Sequence, residues 1–149
     1  MKVIFLDIDG VLNTRYTPQR HRGFIGMHPE LVERFNKLRA RTGAKVVLSS
    51  TWRLAKDWKN TMAECGLDTE HFIDRTPHMP LTGGVEAMER GKEIQAWLNE
   101  HPDVEAYAIL DDDSDMLPHQ PHFKTSFYEG GLTEEVAERV AAHLGVMHT

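Results

Sequence analysis

Cysteine is nearly absent from this sequence, which holds a single one, Cys65. An internal disulfide is therefore excluded. The residue lies in "AECGL", just before a glycine, a setting typical of the last turn of a helix rather than of a nucleophile. The nine histidines form no tight metal-binding pattern either.

Long apolar runs are also lacking. No stretch approaches the roughly 20 residues that a membrane span requires, and the first residues lack the basic and apolar regions of a signal peptide. Repeats, low-complexity tracts and linkers are missing too. We therefore expect a cytoplasmic protein with no membrane partner. With 149 residues, of which 40% are hydrophobic and 27% charged, residues 1–149 are predicted to form one globular domain.

Charge is unevenly distributed along the chain. The first 60 residues carry 12 Lys and Arg against 5 Asp and Glu, whereas the remaining residues carry 5 against 18. Such a skew indicates that one region faces anions. We interpret the cations of "ELVERFNKLRARTG" as the solvated face of a helix. The loop "NTRYTPQRHRG" is the better candidate for contacts with an anion.

Apolar strands alternate with amphipathic helices along the sequence. This order predicts an α/β fold, a Rossmann-like, doubly wound, mainly parallel sheet with helices on both faces. Strands are predicted over residues 2–7, 44–50, 71–77, 105–113 and 123–127, and helices over residues 29–43, 54–65, 90–100 and 133–145.

Polar side chains stand where three of these strands end. In open α/β sheets, ligands bind outside the carboxyl ends of the strands, so neighbouring strands would bring these groups into one crevice. Such a dense cluster of acids requires a hard cation, and its oxygen ligands suit Mg²⁺. The groups are Asp7 with Asp9, Ser49 with Ser50, and Asp111 with Asp112 and Asp113.

Four motifs in order then resemble those of the haloacid dehalogenase (HAD) superfamily of phosphatases and phosphotransferases. They are "FLDIDGV", "VVLSS", "RGKEIQAWL" and "AILDDD", and they span residues 3 to 115. Three details are similar to those of the phosphatase domains of polynucleotide kinase-phosphatases and multidomain RNA-repair proteins. They are "VVLSSTWR", the predicted helix that holds Lys92 and Trp97, and "LDDD".

The resemblance implies a two-step phosphate transfer. Asp7 would be the nucleophile that forms an aspartyl-phosphate, and Asp9 would protonate the leaving oxygen and then deprotonate the attacking water. Ser49 would contact the phosphoryl group, with Ser50 as its rival for that role. Lys92 would hold the phosphate beside the nucleophile, a role that Arg90 could also fill.

The same resemblance implies the metal ligands and the turn beside them. Asp7, the backbone carbonyl of Asp9, Asp111 and Asp112 would hold Mg²⁺, and the participation of Asp113 or Asp115 is left open. Gly10 would allow the sharp turn after the first strand, with backbone amides facing the substrate.

The gaps between the motifs predict an open site with a minimal cap or none. Residues 11–28 and 54–89 are too few for a cap domain beside the elements that they already contain. An open site suits a large phosphorylated substrate such as a nucleic acid end. The cations predicted to contact its backbone are Arg15, Arg20, His21, Arg22, Arg53 and Lys56, although Arg53 is equally consistent with a salt bridge.

The predicted function is therefore a Mg²⁺-dependent phosphomonoester hydrolase acting on a polynucleotide end, a 3′-phosphatase. One alternative is a small-molecule nucleotidase of the same superfamily. Another is a receiver-like signalling domain. Receiver domains have no acid two residues after their phosphorylated aspartate, so Asp9 discriminates between a phosphatase and a receiver. Whether a kinase or ligase partner accompanies the domain is left open.

Overall fold

The computed structural model describes residues 1–78 and 89–145. None of the helices in these ranges combines the length and the apolar character needed to cross a bilayer. In chain order the elements are β1 (Lys2–Leu6), β2 (Arg20–His21), β3 (Phe24–Ile25), α1 (Pro29–Thr42), β4 (Lys45–Leu48), a 3₁₀ helix (Thr51–Leu54), α2 (Trp58–Glu64), β5 (Phe72–Arg75), α3 (Glu89–Asn99), β6 (Ala106–Asp111), β7 (His122–Lys124) and α4 (Glu134–Leu144).

Five parallel strands form the central sheet in the order β5-β4-β1-β6-β7. β1 lies in the middle, and its last residue, Leu6, is level with Leu48 of β4 and Leu110 of β6. This register brings the residues that follow the three strands to the same edge of the sheet. The edge therefore collects the polar groups that the sequence places at the strand ends.

Both faces of the sheet are covered by helices, which confirms the predicted fold class. Ile4 and Leu6 of β1 belong to a core shared with α1, α2 and α4. Val3 and Phe5 belong to the opposite core. There the rings of Phe5 and Trp97 of α3 pack edge to face, with their centroids 5.5 Å apart. A strand buried on both faces has to be apolar throughout, as β1 is.

The ends of α1 and α4 follow the predicted signals. Pro29 begins α1, His28 Nδ1 accepts a hydrogen bond from the Glu30 amide, and Gly43 ends the helix with φ 72°. The Thr133 hydroxyl accepts a hydrogen bond from the Val136 amide at the start of α4. These local contacts explain why the boundaries could be read from the sequence.

Three elements differ from the prediction. The helix predicted over residues 54–65 is shorter: α2 begins only at Trp58, because the preceding 3₁₀ helix ends at Leu54 and Ala55 has an extended backbone. The last strand is shorter than predicted and ends at Lys124. β2 and β3 form an antiparallel hairpin that was not predicted, because strands of two residues leave no periodic pattern.

The hairpin β2–β3 is the only strand pair that the described residues add between the first and second motifs, so this gap holds no domain-sized cap. After the second motif, residues 54–78 contain α2 and β5. The rest of the predicted gap, residues 79–88, lies outside the described residues. For the described part of the chain the structure agrees with a minimal cap.

Candidate active site

The candidate site lies at the carboxyl edge of the sheet. Asp7 follows β1, and its amide donates to Leu110 O at 3.0 Å; the Ser49 amide, after β4, donates to Leu6 O at 2.9 Å. These bonds continue the strand pairing by one residue on both sides of β1. The predicted convergence of the strand ends is therefore present in the structure.

Three carboxylates meet at this edge. Ligand oxygens of Asp7, Asp111 and Asp112 all lie within 4.8 Å of one another. Asp7 is 4% exposed and Asp111 is fully buried. Burial, reinforced by the charge of Asp111, raises the pKa of Asp7 well above its usual range and also raises the pKa of Asp112.

This cluster could bind a metal ion. It offers only carboxylate oxygens, the donors that Mg²⁺ prefers. The backbone is shaped to admit Asp112, because a Cβ at position 10 would lie 2.1 Å from Asp112 Oδ2. Gly10 therefore serves close approach as well as the turn, for which it adopts φ 81°.

Arg90 is the cation that faces the carboxylates. Its Nη1 lies 3.0 Å from Asp7 Oδ1 and 2.9 Å from Asp111 Oδ2. Its backbone amide donates to Asp115 Oδ2 at 3.2 Å, which fixes the start of α3 against the loop after β6. Burial favours the neutral form of Arg90, but the charges of Asp7 and Asp111 outweigh it and raise the pKa of the guanidinium.

Lys92, the predicted phosphate contact of the third motif, lies two residues further along α3 and is partly buried. Arg90, the alternative for that role, contacts the predicted nucleophile. Gly91, between them, packs so closely on the loop after β6 that a Cβ would lie 2.6 Å from the Leu117 amide nitrogen. Helix α3 is therefore docked tightly at the site.

Asp9 is held by two residues that sequence reasoning missed, Asn13 and Trp52. Asn13 is fully buried; its Nδ2 donates to Asp9 Oδ1 at 2.9 Å and to Gly26 O at 2.8 Å. Trp52 Nε1 donates to Asp9 Oδ2 at 3.2 Å. The available signals were the polar Asn13 in the apolar run after the first motif and the tryptophan in "SSTWR".

The Gly10 amide has a different partner from the one expected. The sequence predicts that backbone amides of this turn face the substrate, whereas the Gly10 N–H donates to Asn13 Oδ1 at 2.9 Å. Its carbonyl accepts a hydrogen bond from the Thr125 hydroxyl at 2.6 Å. Both backbone groups of Gly10 are thus used to fix the turn.

Ser49 and Ser50 differ in their surroundings. The Ser50 hydroxyl caps the 3₁₀ helix by accepting a hydrogen bond from the Trp52 amide at 3.2 Å. The Ser49 hydroxyl is buried and has no hydrogen-bond partner among the described residues. A buried hydroxyl without a partner is costly, so Ser49 has both its donor and its acceptor capacity left for a ligand, whereas the Ser50 hydroxyl already accepts one hydrogen bond.

Arg53 is directed into the protein rather than toward the crevice. Its guanidinium donates to Thr76 O at 3.0 Å, to Ser50 O at 2.9 Å and to Glu93 Oε2 at 3.2 Å. Arg53 is 2% exposed, and this burial lowers its pKa. To contact a phosphate, as the sequence predicts, Arg53 would have to release these partners. In the structure Arg53 holds the segment after β4 in place. Its ion pair with Glu93 agrees better with the predicted alternative, a salt bridge.

The predicted loop cations Arg20 and Arg22 lie on the hairpin, and Arg22 lines an adjoining cleft. Arg20 Nη1 donates to Thr17 O at 2.7 Å, and Arg22 Nη2 lies 2.7 Å from Asp57 Oδ2. Arg22 has φ 50°, a left-handed conformation at the tip of the hairpin. The cleft, with a volume of about 540 Å³, is lined by residues that include Asp9, Arg22 and Trp52.

The fold and the site together define a class of protein, an α/β domain whose central strands end in aspartates bridged by a cation. Over residues 3–137 the chain matches the family model described as HAD domain in Swiss Army Knife RNA repair proteins. The chain belongs to this HAD family, which confirms the predicted relationship to HAD-superfamily phosphatases of RNA-repair proteins. No curated protein and no solved structure matches the chain.

Proposed function

We propose that this protein is a Mg²⁺-dependent phosphatase that removes the 3′-phosphate from a polynucleotide end. The observation that carries the proposal is the cluster of Asp7, Asp111 and Asp112 bridged by Arg90, with a second acid, Asp9, two residues after Asp7. The family description, with its reference to RNA repair, supports an RNA end as the substrate. We also treat residues 1–149 as one cytoplasmic domain, as the sequence predicts.

In the first step, a carboxylate oxygen of Asp7 attacks phosphorus and the bond from phosphorus to the 3′-oxygen breaks. Asp9 gives its proton to that leaving oxygen, so the product is a free 3′-hydroxyl. The hydrogen bonds from Asn13 and Trp52 fix the Asp9 carboxyl for this task. Positioned acids of this kind contribute about 10² to 10⁴ in rate.

In the second step, water attacks the phosphorus of the aspartyl-phosphate and Asp9 takes the proton of the water. The bond from phosphorus to Asp7 breaks, which releases inorganic phosphate and regenerates the carboxylate. Mg²⁺, held by Asp7, Asp111, Asp112 and the Asp9 carbonyl, would neutralise the charge between the carboxylates and the phosphoryl oxygens.

The phosphoryl group is held by residues around the cluster. We assign the Ser49 hydroxyl to one phosphoryl oxygen, because it follows β4 at this edge of the sheet, is buried and has no hydrogen-bond partner among the described residues. Arg90 holds the nucleophile and the phosphate together, and Lys92 on the same helix remains a second candidate for that contact.

The first test measures release of inorganic phosphate from a 3′-phosphorylated oligonucleotide with Mg²⁺ or with EDTA. We expect turnover only with Mg²⁺, none in Asp7→Asn, and a loss of at least about 100-fold in Asp9→Asn. Full activity in EDTA or in Asp7→Asn would contradict the mechanism. A phosphorylated Asp7 that is stable and never turns over would instead support a receiver-like protein.

The second test concerns the size of the substrate. Arg20 and Arg22 are exposed and lie on the hairpin beside the site; we propose that they and the neighbouring loop cations contact two or three backbone phosphates, for which Arg22 would exchange its partner Asp57. On a single strand, the slope of log affinity against log salt should then be about −1.5 to −2, at roughly −0.7 per phosphate. The comparison is kcat/KM for the oligonucleotide and for the 3′-mononucleotide, in the native protein and in the double variant Arg20→Ala with Arg22→Ala. Equal turnover of both substrates, unchanged by the double variant, would favour a small-molecule nucleotidase.

A further inference from the structure

We infer that the cleft between the β2–β3 hairpin and the 3₁₀ helix binds the terminal nucleobase of the substrate by stacking, and so selects unpaired ends. This inference rests on the proposed phosphatase function and adds a binding site for the leaving nucleoside. The occupant is one nucleobase of a single strand, the base that is attached to the phosphorylated sugar.

The cleft has the size and the walls for such a ring. Its volume of about 540 Å³ lies within the usual range of ligand pockets, about 300 to 1,000 Å³. Aromatic side chains from three segments line it: His21 and Phe24 of the hairpin, Trp52 of the 3₁₀ helix, and Phe127 after β7. The rings of His21 and Trp52 are already stacked, with centroids 5.4 Å apart and an angle of 24° between their planes.

The cleft also lies next to Asp9, on the side of the site where the leaving group would be. Asp9, the proposed acid for the leaving oxygen, lines the cleft and is hydrogen bonded to Trp52. The leaving oxygen belongs to the terminal sugar, so the base on that sugar must lie beside Asp9 as well. The cleft is the space that the structure provides there.

The exposed aromatic and basic side chains in and beside the cleft suit a nucleobase attached to a negatively charged nucleic acid backbone. Phe24 is 76% exposed at the mouth of the cleft, although an exposed phenyl ring contributes nothing to the core. Arg22, whose guanidinium pairs with Asp57 at 2.7 Å, belongs to the same wall. Beyond Phe127, the guanidinium of Arg15 lies 4.6 Å from the ring centre of Tyr16 and 5.4 Å from that of Tyr128. Alternating aromatic and basic groups are the features with which proteins bind single-stranded nucleic acid.

Stacking in the cleft would discriminate against paired ends. A base inside a duplex has its faces covered by neighbours and its edge paired, so it must be unpaired and unstacked before it can enter. A blunt duplex end should therefore be a poorer substrate than the same sequence as a single strand. Because every base has an aromatic face, the identity of the terminal base should matter little.

The experiment compares three 3′-phosphorylated oligonucleotides of one sequence: a single strand, the same strand with an abasic terminal sugar, and the same strand in a blunt duplex. For the native protein we expect kcat/KM on the single strand to exceed that on each of the others by about tenfold or more. Phe24→Ala should lose most of this advantage over the abasic end, and Phe24→Tyr should retain it. The matched control is Leu54→Ala, which changes an exposed apolar residue of the 3₁₀ helix that does not line the cleft.

A second readout does not depend on turnover. The inactive Asp7→Asn protein is mixed with an oligonucleotide whose terminal base is the fluorescent analogue 2-aminopurine, which is quenched on stacking. We expect quenching with Asp7→Asn and a loss of quenching when Phe24→Ala is added. If phosphate is released from none of the three oligonucleotides, the proposed function is overturned. Release from the abasic or duplex end as fast as from the single strand, or unchanged quenching in Phe24→Ala, would overturn the stacking site alone.

Discussion

The guanidinium of Arg90 lies 3.0 Å from the carboxylate of Asp7, so the predicted nucleophile has a cationic partner before any ligand is bound. The same Nη1 atom reaches Asp111 at 2.9 Å, so Arg90 connects the first and fourth motifs. This bridge compensates part of the repulsion in the acid cluster. It also places a donor where a phosphoryl group attached to Asp7 would lie.

Replacing Arg90 should therefore affect both catalysis and stability. We expect Arg90→Ala to lower kcat/KM by about 100-fold or more, because it removes a preorganised charge from the transition state. Removing one partner of a buried ion pair should also lower the free energy of unfolding by about 3 to 5 kcal/mol in EDTA. Arg41→Ala is the control, since it breaks a solvent-exposed pair with Glu138 and should change the free energy of unfolding far less. A larger loss of activity in Lys92→Ala than in Arg90→Ala would return the third-motif role to Lys92.

The repulsion among the site carboxylates should be visible as a pH-dependent stability. The pKa values of Asp7 and Asp112 are raised by burial and by the charge of Asp111. A carboxyl with a raised folded-state pKa stabilises the fold below its unfolded value, about 4, and loses that contribution as the pH rises through the raised value. In EDTA, Asp112→Asn should melt at a higher temperature than the native protein, by a margin that widens from pH 4 toward neutral pH.

Magnesium should reverse this order. At a Mg²⁺ concentration ten times its Kd, the native protein should gain about 1.4 kcal/mol in the free energy of unfolding, whereas Asp112→Asn should gain less. Asp103→Asn is the matched control, because Asp103 is an exposed aspartate that precedes β6 and is not among the predicted metal ligands. A native protein that melts above Asp112→Asn in EDTA at neutral pH would contradict the argument.

Asn13 should act on Asp9 as well as on the fold. Asn13→Ala leaves the Gly10 amide and Gly26 carbonyl without their partner, which should cost about 2 to 3 kcal/mol in the free energy of unfolding. It also frees Asp9, so kcat should fall more than KM rises. The control is Asn36→Ala, on α1, which likewise removes one hydrogen bond to a backbone carbonyl, that of Gly66, and one from a backbone amide, that of Asp68. Equal kcat values in the two variants would show that Asn13 has no part in positioning Asp9.

The two serines should respond in opposite ways. Ser49→Ala removes a hydroxyl that has no partner among the described residues, so the melting temperature should hold or rise while kcat/KM falls. Ser50→Ala removes the cap of the 3₁₀ helix and should cost about 1 kcal/mol in stability, with a smaller change in kcat/KM. Thermal melts and phosphate release on the same preparations distinguish the two roles. The reverse pattern would make Ser50 the phosphate contact.

Arg53 should prove to be a residue of the scaffold. Arg53→Lys cannot maintain a planar set of hydrogen bonds to Thr76, Ser50 and Glu93, so the melting temperature should fall clearly. A direct phosphate contact would instead raise KM and leave the melting temperature unchanged. The control is Lys59→Ala, which removes an exposed cation of α2 that is not among the predicted substrate contacts.

Local signals explain what the sequence determined. The strand β1 is apolar throughout because both of its faces are covered, and the ends of α1 and α4 are marked by Pro29, Gly43 and Thr133. The positions of Asp7 and Asp111 at strand ends followed from the same pattern, since parallel strands bring their carboxyl ends to one edge.

Only the tertiary structure decided which side chains meet. Arg90 contacts Asp7 because α3 is held against the loop after β6, where the Arg90 amide donates to Asp115, 25 residues further along the chain, and Gly91 packs on Leu117. Arg53 turns inward because carbonyls of Ser50 and Thr76 converge on it. The β2–β3 hairpin and its aromatic cleft depend on contacts between His21 and Trp52, which no local pattern specifies. Sequence fixes periodicity and chain order, whereas the partners of a long polar side chain depend on distant segments that only packing brings together.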